Sequence, residues 1–220
     1  MKKKYVFVQF ALIFIFFILP PLFVSKGLPG AATGNFSPWV LIQLILALAL
    51  EVEHQLFFEP NTHPLGIAGV FKSLSWGTIS LGLLMLVFAL MQVLCMAFPF
   101  LADGSMSLSL PESPLRWLYV LLSLAVGAFY EEELYRQFLP YALTLFAEGK
   151  KGWHIFTEIF CLLVFAFSHR YLGWGAVINA CLCGLILRLC RIKSLSCYAG
   201  SAAHFSYNLI IYAFTLLISV

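Results

Sequence analysis

Long runs of apolar residues, separated by short polar stretches, follow one another along almost the whole chain. Seven of these runs come close to or exceed the roughly 20 residues that a helix needs to cross a membrane. Their approximate limits are 5–24, 38–58, 74–100, 115–147, 153–171, 174–192 and 196–219. The pattern therefore predicts an all-α protein, a polytopic membrane helix bundle of about seven transmembrane spans.

The composition agrees with this pattern and excludes several classes of protein. Hydrophobic residues make up 62% of the 220 residues and charged residues only 10%, whereas a soluble domain is about one quarter charged. The net charge of +3, with one basic cluster at residues 2–4, argues against a nucleic-acid partner. The six cysteines form no C-x-x-C pair, so we expect small packing residues rather than a disulfide framework.

The chain shows no repeat and no long polar linker, which predicts a single integral membrane domain over residues 1–220. We expect the first run to stay as a signal anchor, because no small-x-small cleavage site follows it. Loop charge favours a cytoplasmic N-terminus. With that orientation nine Lys and Arg face the cytoplasm and three face outward: Lys2, Lys3, Lys4, Lys72, Lys150, Lys151, Arg188, Arg191 and Lys193 against Lys26, Arg116 and Arg170.

Three consecutive carboxylates, Glu131 to Glu133, lie in the middle of the fourth run. Each charge inside a membrane costs about 2.5–3.5 kcal/mol on insertion scales, so such groups are functional candidates. At about 100° per residue, Glu132 and Arg136 share a helix face, which predicts a buried ion pair. Glu131 has no such partner on its helix, and a carboxyl group in apolar surroundings suits a general base. A helix break with the acids at an interface is the structural alternative.

Two further polar pairs lie in later runs at helical spacing. Phe165 and His169 are four residues apart and should stack on one face, and His204 and Asn208 repeat this spacing in the last run. Taken singly, His169 suits an interfacial residue, and His204 with Asn208 suits a clamp between helices. Taken together with the glutamates, these polar side chains satisfy one another by converging, which suits a hydrolytic site. The remaining histidines have the pattern of ordinary surface residues: His54, His63 and His154.

These motifs, in this order on successive apolar helices, resemble the CPBP family of CAAX proteases and bacteriocin-processing (Abi-like) proteins. They are Glu131-Glu132-x-x-x-Arg136, Phe165-x-x-x-His169 and His204-x-x-x-Asn208. The resemblance covers about residues 127–212 and includes the glycine-bearing helix at 179–189. The family usually has Gly after the motif arginine, where this chain has Gln137. The length is typical of prokaryotic members.

The resemblance implies a glutamic-type intramembrane endopeptidase with its catalytic core at about residues 115–219. It implies that Glu131 and His169 activate water, that Glu132 with Arg136 orients the site, and that His204 and Asn208 stabilise the oxyanion.

The expected partners are a membrane-associated peptide or protein substrate and the lipid bilayer, with no nucleic acid. The expected location is a prokaryotic inner (plasma) membrane. No cofactor is expected, and zinc held by the same Glu and His side chains is the alternative mechanism. A non-catalytic binding or immunity protein of the same family and a proton-coupled transporter are the alternative functions.

Overall fold

A computed structural model describes residues 2–23, 36–58, 66–102, 110–147 and 152–219. Every regular element in these ranges is helical, which confirms the predicted all-α class. The α-helices, in chain order, are α1 Lys2–Ile13, α2 Leu19–Phe23, α3 Pro38–Glu53, α4 Ile67–Ala97, α5 Pro114–Glu131, α6 Leu139–Phe146, α7 Trp153–Phe167, α8 Trp174–Ser194 and α9 Cys197–Ser219. Short 3-10 turns follow α4, at Pro99–Ala102, and α7, at Arg170–Leu172.

Turns of π-helix join several of these elements into longer rods. They are Phe14–Ile18, His54–Phe58 and Glu132–Phe138. As a result the described residues form seven continuous helical segments, close to the seven predicted runs. By length and composition, four of them can cross a membrane: Lys3–Phe23, Pro38–Leu56, Ile67–Ala97 and Trp174–Ser194.

Within the described residues, a proline lies two residues after the end of two of these π-helical turns: Pro20 and Pro140. Proline has no backbone N–H and its ring clashes with the carbonyl four residues earlier, so α-helical hydrogen bonding is interrupted there. The wider i→i+5 pattern of a π-turn lets the helix continue past such a point. In the carboxylate-bearing helix, Pro140 has no N–H to donate to the carbonyl oxygen of Arg136, four residues earlier.

The chain divides into two compact units. The first contains the described residues 2–23, 87–102, 135–147 and 152–185. Aromatic rings pack its helices: Phe7 and Phe10 both contact Phe146, with ring centroids 5.7 and 5.3 Å away. At Gly175 a Cβ atom would lie 2.4 Å from the carbonyl oxygen of Leu101, so glycine is required for this close approach.

The second unit contains the described residues 36–58, 66–86, 110–134 and 186–219. Helix α5 packs against α9 through a core formed by Val120, Tyr212, Leu216 and the partly buried Leu124. Helix α5 begins where the Ser113 hydroxyl accepts a hydrogen bond from the Arg116 N–H, with Pro114 in the first turn, a favourable N-terminal sequence. The prediction of one domain over residues 1–220 stays a prediction.

Candidate active site

The three consecutive glutamates lie at the end of α5 and in the π-helical turn that follows it. The side chain of Glu131 is 26% exposed, whereas Glu132 and Glu133 are buried at 1% and 0%. The sequence before the glutamates is mostly apolar up to Tyr130, so this end of the helix is buried, and the last two carboxylates are buried with it. The chain therefore places one accessible and two inaccessible carboxyl groups side by side.

His204 on α9 lies between two of these carboxylates. Its Nδ1 atom is 2.9 Å from Oε1 of Glu132, and its Nε2 atom is 3.7 Å from Oε2 of Glu131. The shorter distance is that of a hydrogen bond, and the longer exceeds one. Since an ionised carboxylate only accepts, we assign the proton of this bond to Nδ1 of His204. The structure thus brings together Glu131, Glu132 and His204.

The close contact between α9 and Glu132 depends on a glycine that the motif analysis did not identify. A Cβ atom at Gly200 would lie 3.1 Å from Oε2 of Glu132. Gly200 precedes His204 by one turn, and Asn208 follows it by one turn, so all three share a face of α9. This four-residue spacing is the signal in the sequence that marks Gly200.

Asn208 is half-buried and lies in the same helix as His204. Among the described residues the structure gives its side chain no hydrogen-bond partner. Its predicted role at the oxyanion stays a prediction. On α5, a Cβ atom at Gly127 would meet no described atom within 4 Å, which agrees with the expectation that this glycine leaves space one turn before Glu131.

His169 lies in the first unit, just after α7. Its Nδ1 atom is 2.9 Å from the carbonyl oxygen of Phe165, and a carbonyl only accepts, so Nδ1 is the donor. In a neutral imidazole this leaves the lone pair on Nε2. The rings of Phe165 and His169 meet at 4.7 Å in an edge-to-face arrangement, which confirms that they share a face. The predicted joint action of His169 with Glu131 stays a prediction.

Arg136 is also in the first unit and is buried at 3% exposure. Its guanidinium carbon lies 3.6 Å from the ring centroid of Phe165, within the range of a cation–π interaction. The ring of Tyr135 approaches Phe165 as well, at 5.2 Å. Phe165 therefore contacts the motif arginine and the motif histidine.

The angular argument for an ion pair between Glu132 and Arg136 assumed α-helical geometry. Residues 132–138 form a π-helical turn instead, in which the residues per turn differ from those of an α-helix. Glu132 and Arg136 are therefore not related by 100° per residue, and the ion pair between them stays a prediction. Pro140 is the sequence feature that marks the altered helix.

A second buried polar cluster joins α3 to α8 and α9. The expectation that His54 is an ordinary surface residue is wrong: it is 5% exposed, and Nη2 of Arg191 lies 3.4 Å from its Nε2. The hydroxyl of Tyr198 donates to Oε1 of Glu51 at 2.8 Å. His154 is exposed, as predicted, and His63 lies outside the described residues.

The six cysteines are free thiols in the structure. Those at positions 161, 183, 190 and 197 are buried, which agrees with the expected packing role. Within the described ranges, no group of three or more His, Cys, Asp or Glu side chains is arranged to hold a metal ion. The metal-free mechanism and its zinc alternative both stay predictions.

Comparison with known families finds a similarity in the part of the chain that contains these side chains. Residues 113–210 match the model of the type II CAAX prenyl endopeptidase Rce1-like family. The matched segment contains every motif residue discussed above, and it is similar to this family of peptidases. The match confirms the resemblance to the CPBP proteins. Together with the span-forming helices, it indicates an integral membrane protein with a segment similar to a peptidase family.

No curated protein and no solved structure shows a significant match to the chain.

Proposed function

We propose that this protein is an intramembrane endopeptidase that hydrolyses a peptide bond of a membrane-associated peptide or protein. The observation that carries the proposal is the position of His204, buried between Glu132 and Glu131 at 2.9 and 3.7 Å. A carboxylate, an oriented imidazole and a second, more exposed carboxylate are the groups that activation of water and stabilisation of an oxyanion require. The family match supports the same chemistry.

Glu131 is the general base in this scheme, because its carboxylate is the accessible one of the three. It takes a proton from a water molecule while the water oxygen attacks the scissile carbonyl carbon. The carbonyl oxygen becomes the oxyanion of a tetrahedral intermediate. Glu131 then returns the proton to the leaving nitrogen as the C–N bond breaks, so that it ends the cycle ionised.

Glu132 orients His204 by accepting a hydrogen bond from its Nδ1–H group. A carboxylate in this position fixes the plane of the ring and the identity of the protonated nitrogen. In the protonated imidazole, Nε2–H remains to donate to the developing oxyanion on the side where Glu131 lies. Asn208, one helical turn further on the same face, is the second donor.

His169 contributes a lone pair on Nε2, because Nδ1 is committed to the Phe165 carbonyl. We propose that this nitrogen helps to bind the attacking water, as the family resemblance implies. Arg136 keeps Phe165 in place through the cation–π contact, which in turn supports the ring of His169. Arg136 and Phe165 thus support the position of the His169 ring.

The proposed setting is the inner (plasma) membrane of a prokaryotic cell, with the N-terminus in the cytoplasm. The substrate enters from the membrane, since the carboxylates lie in helices of a membrane protein. The matched family is described by its action on prenylated CAAX substrates. A prenylated C-terminus and an unmodified leader or tail peptide are therefore the two substrate forms to compare.

The test uses purified full-length protein reconstituted in liposomes, with fluorogenic peptides offered in farnesylated and unmodified form. We expect cleavage of at least one form by wild-type protein and none by Glu131→Gln. The matched control is Glu112→Gln, because Glu112 is an exposed glutamate paired with Arg116 at the surface. Equal cleavage by the two variants would contradict the role of Glu131. Peptide binding without cleavage by wild-type protein would favour the non-catalytic alternative.

A chelation arm in the same experiment addresses the zinc alternative. A metal-free mechanism predicts unchanged turnover after exhaustive chelation, with the metal content measured on the same sample. Loss of turnover, restored by stoichiometric zinc, would overturn the glutamic mechanism and leave the peptidase assignment in place.

A further inference from the structure

The junction between α8 and α9 is a tight turn with a strained backbone. Two residues, Leu195 and Ser196, connect Ser194 at the end of α8 to Cys197 at the start of α9. Leu195 has φ +58°, in the left-handed region that L-residues with branched side chains rarely adopt. The Ser194 hydroxyl accepts a hydrogen bond from the Ser196 N–H and donates one to the Ser196 carbonyl oxygen, both at 3.1 Å. These two hydrogen bonds therefore stabilise the turn.

Both helices that leave this turn are bound to the same short stretch of α3. On the α8 side, Arg191 donates to Nε2 of His54 at 3.4 Å. On the α9 side, the Tyr198 hydroxyl donates to Oε1 of Glu51 at 2.8 Å. Glu51 and His54 are three residues apart and therefore lie on one helix face. We call the set of Glu51, His54, Arg191 and Tyr198 the α3 clamp.

Tyr198 also connects the clamp to the carboxylate-bearing helix. Its ring stacks on that of Phe129 in α5, with centroids 6.1 Å apart and planes 7° from parallel. Phe129 precedes Glu131 by two residues. One side chain in the first turn of α9 therefore contacts both α3 and α5.

Close contacts further along α9 connect its first turn to the position of His204. Gly77 of α4 lies against the Ala199 carbonyl, where a Cβ atom would be 3.2 Å from the oxygen. Gly200 lies against Glu132, and His204 follows one turn later. With α9 held at its first turn, neither rotation nor sliding of the helix is free, and a sliding of one residue would move His204 by about 1.5 Å.

We propose that the α3 clamp is a positioning device for catalysis, in which Glu51 and Tyr198 fix the rotation of α9 and so the distances from His204 to Glu131 and Glu132. This inference rests on the proposed function. Glu51 and Tyr198 are positioning residues, since they act through His204 and do not touch the reacting atoms. A displacement of about 1 Å at such a site is enough to lower the rate of the chemical step strongly.

The test compares Tyr198→Phe with Tyr212→Phe. The first variant keeps the ring that stacks on Phe129 and removes the hydroxyl bound to Glu51. Tyr212 is a buried tyrosine of the same helix whose hydroxyl has no hydrogen-bond partner within the described residues, so its variant is the matched control. Both are assayed in liposomes on whichever peptide form the wild-type protein cleaves, well below their melting temperatures.

We expect Tyr198→Phe to lower kcat about tenfold and to leave KM within about twofold, because positioning affects the chemical step more than binding. Tyr212→Phe should match wild type in both constants. Glu51→Gln should retain most of kcat, since its amide oxygen still accepts from Tyr198. Equal kcat for the two tyrosine variants, or an effect confined to a higher KM, would overturn the inference.

A spectroscopic measurement separates this inference from the proposed function. In protein labelled with ¹⁵N-histidine, the Nδ1 resonance of His204 is assigned by its loss in His204→Asn. We expect Tyr198→Phe to shift this resonance and Tyr212→Phe to leave it in place. An unmoved resonance in Tyr198→Phe would overturn the clamp even if cleavage is observed. A shifted resonance in a protein that cleaves no peptide would support the clamp and contradict the peptidase proposal.

Discussion

His204 and Glu132 are 72 positions apart in the sequence, and the Nδ1 atom of the histidine lies 2.9 Å from Oε1 of the glutamate. Both side chains are buried. A hydrogen bond between a charged carboxylate and an imidazole inside the protein is among the stronger polar interactions. It holds α9 against the end of α5, and it defines Nδ1 of His204 as the hydrogen-bond donor on that side of the ring.

This bond predicts a clear difference in stability between two neighbouring glutamates. Glu132→Ala leaves His204 buried without its partner, and breaking a buried pair in this way costs about 3–5 kcal/mol. Glu131→Ala removes a partly exposed side chain that is 3.7 Å from the same ring and should cost less. Thermal unfolding of both variants in the same detergent checks the prediction. Equal melting temperatures would show that the bond to Glu132 contributes little to stability.

The role of Glu131 is tested by removing its charge without changing its shape. Glu131→Gln should abolish cleavage while substrate peptide still binds, because an amide cannot take the proton of the attacking water. Peptide affinity and turnover are measured on the same preparation. Substantial turnover by this variant would assign the base to another group.

The contact between Gly200 and Glu132 predicts a large effect from one added methyl group. In Gly200→Ala the Cβ atom would lie 3.1 Å from Oε2 of Glu132, so the carboxylate must shift by a few tenths of an ångström. We expect lower turnover and no gain in stability. The matched control is Gly82→Ala in α4, where a Cβ atom meets no described atom within 4 Å.

At Gly82, replacing glycine by alanine in a helix should stabilise the protein by about 0.5–1 kcal/mol. The comparison is made by thermal unfolding and by kcat. If Gly200→Ala gains the same stability as Gly82→Ala and keeps full turnover, the close contact with Glu132 is not important for function.

The seven helical segments could be predicted from hydrophobic runs because each is long and nearly continuous. The pairing of Glu132 with His204 could be predicted in outline, since buried polar groups on separate apolar helices need partners. The run of acids does not predict the π-helical turn at 132–138, whereas Pro140 nearby is a feature that interrupts α-helical hydrogen bonding.

The α3 clamp could not be predicted from the sequence. It joins Glu51 to Tyr198 across 147 positions, and nothing in the local pattern of either residue indicates the other. The acids and His54 at the end of α3 have the sequence pattern of the polar end of a span, and this pattern predicts a surface position for His54. Burial at such a position depends on tertiary packing, which local periodicity does not report.

The cation–π contact predicts that Arg136 supports folding. Arg136→Ala removes a guanidinium 3.6 Å from the Phe165 ring centroid, so we expect less folded protein in the membrane than for Glu131→Ala. A double-mutant cycle with Phe165→Leu should give a coupling of about 0.5–2 kcal/mol. A coupling near zero would mean that the contact contributes no stability and that Arg136 acts through another partner.

The proposed oxyanion donors predict a graded loss of activity on α9. Asn208→Ala removes one donor from the transition state, and loss of one such donor costs about 10²–10³ in turnover. Weak cleavage should therefore survive, in contrast to Glu131→Gln, and KM should change little because the donor acts only on the developing charge. The control on the same helix is Ser201→Ala, whose hydroxyl donates to its own helix at the Cys197 carbonyl. Steady-state kinetics of these variants decide the assignment. A higher KM with unchanged kcat would indicate that Asn208 acts in substrate binding. A loss of turnover as complete as that of Glu131→Gln would indicate that it acts with the groups that activate water.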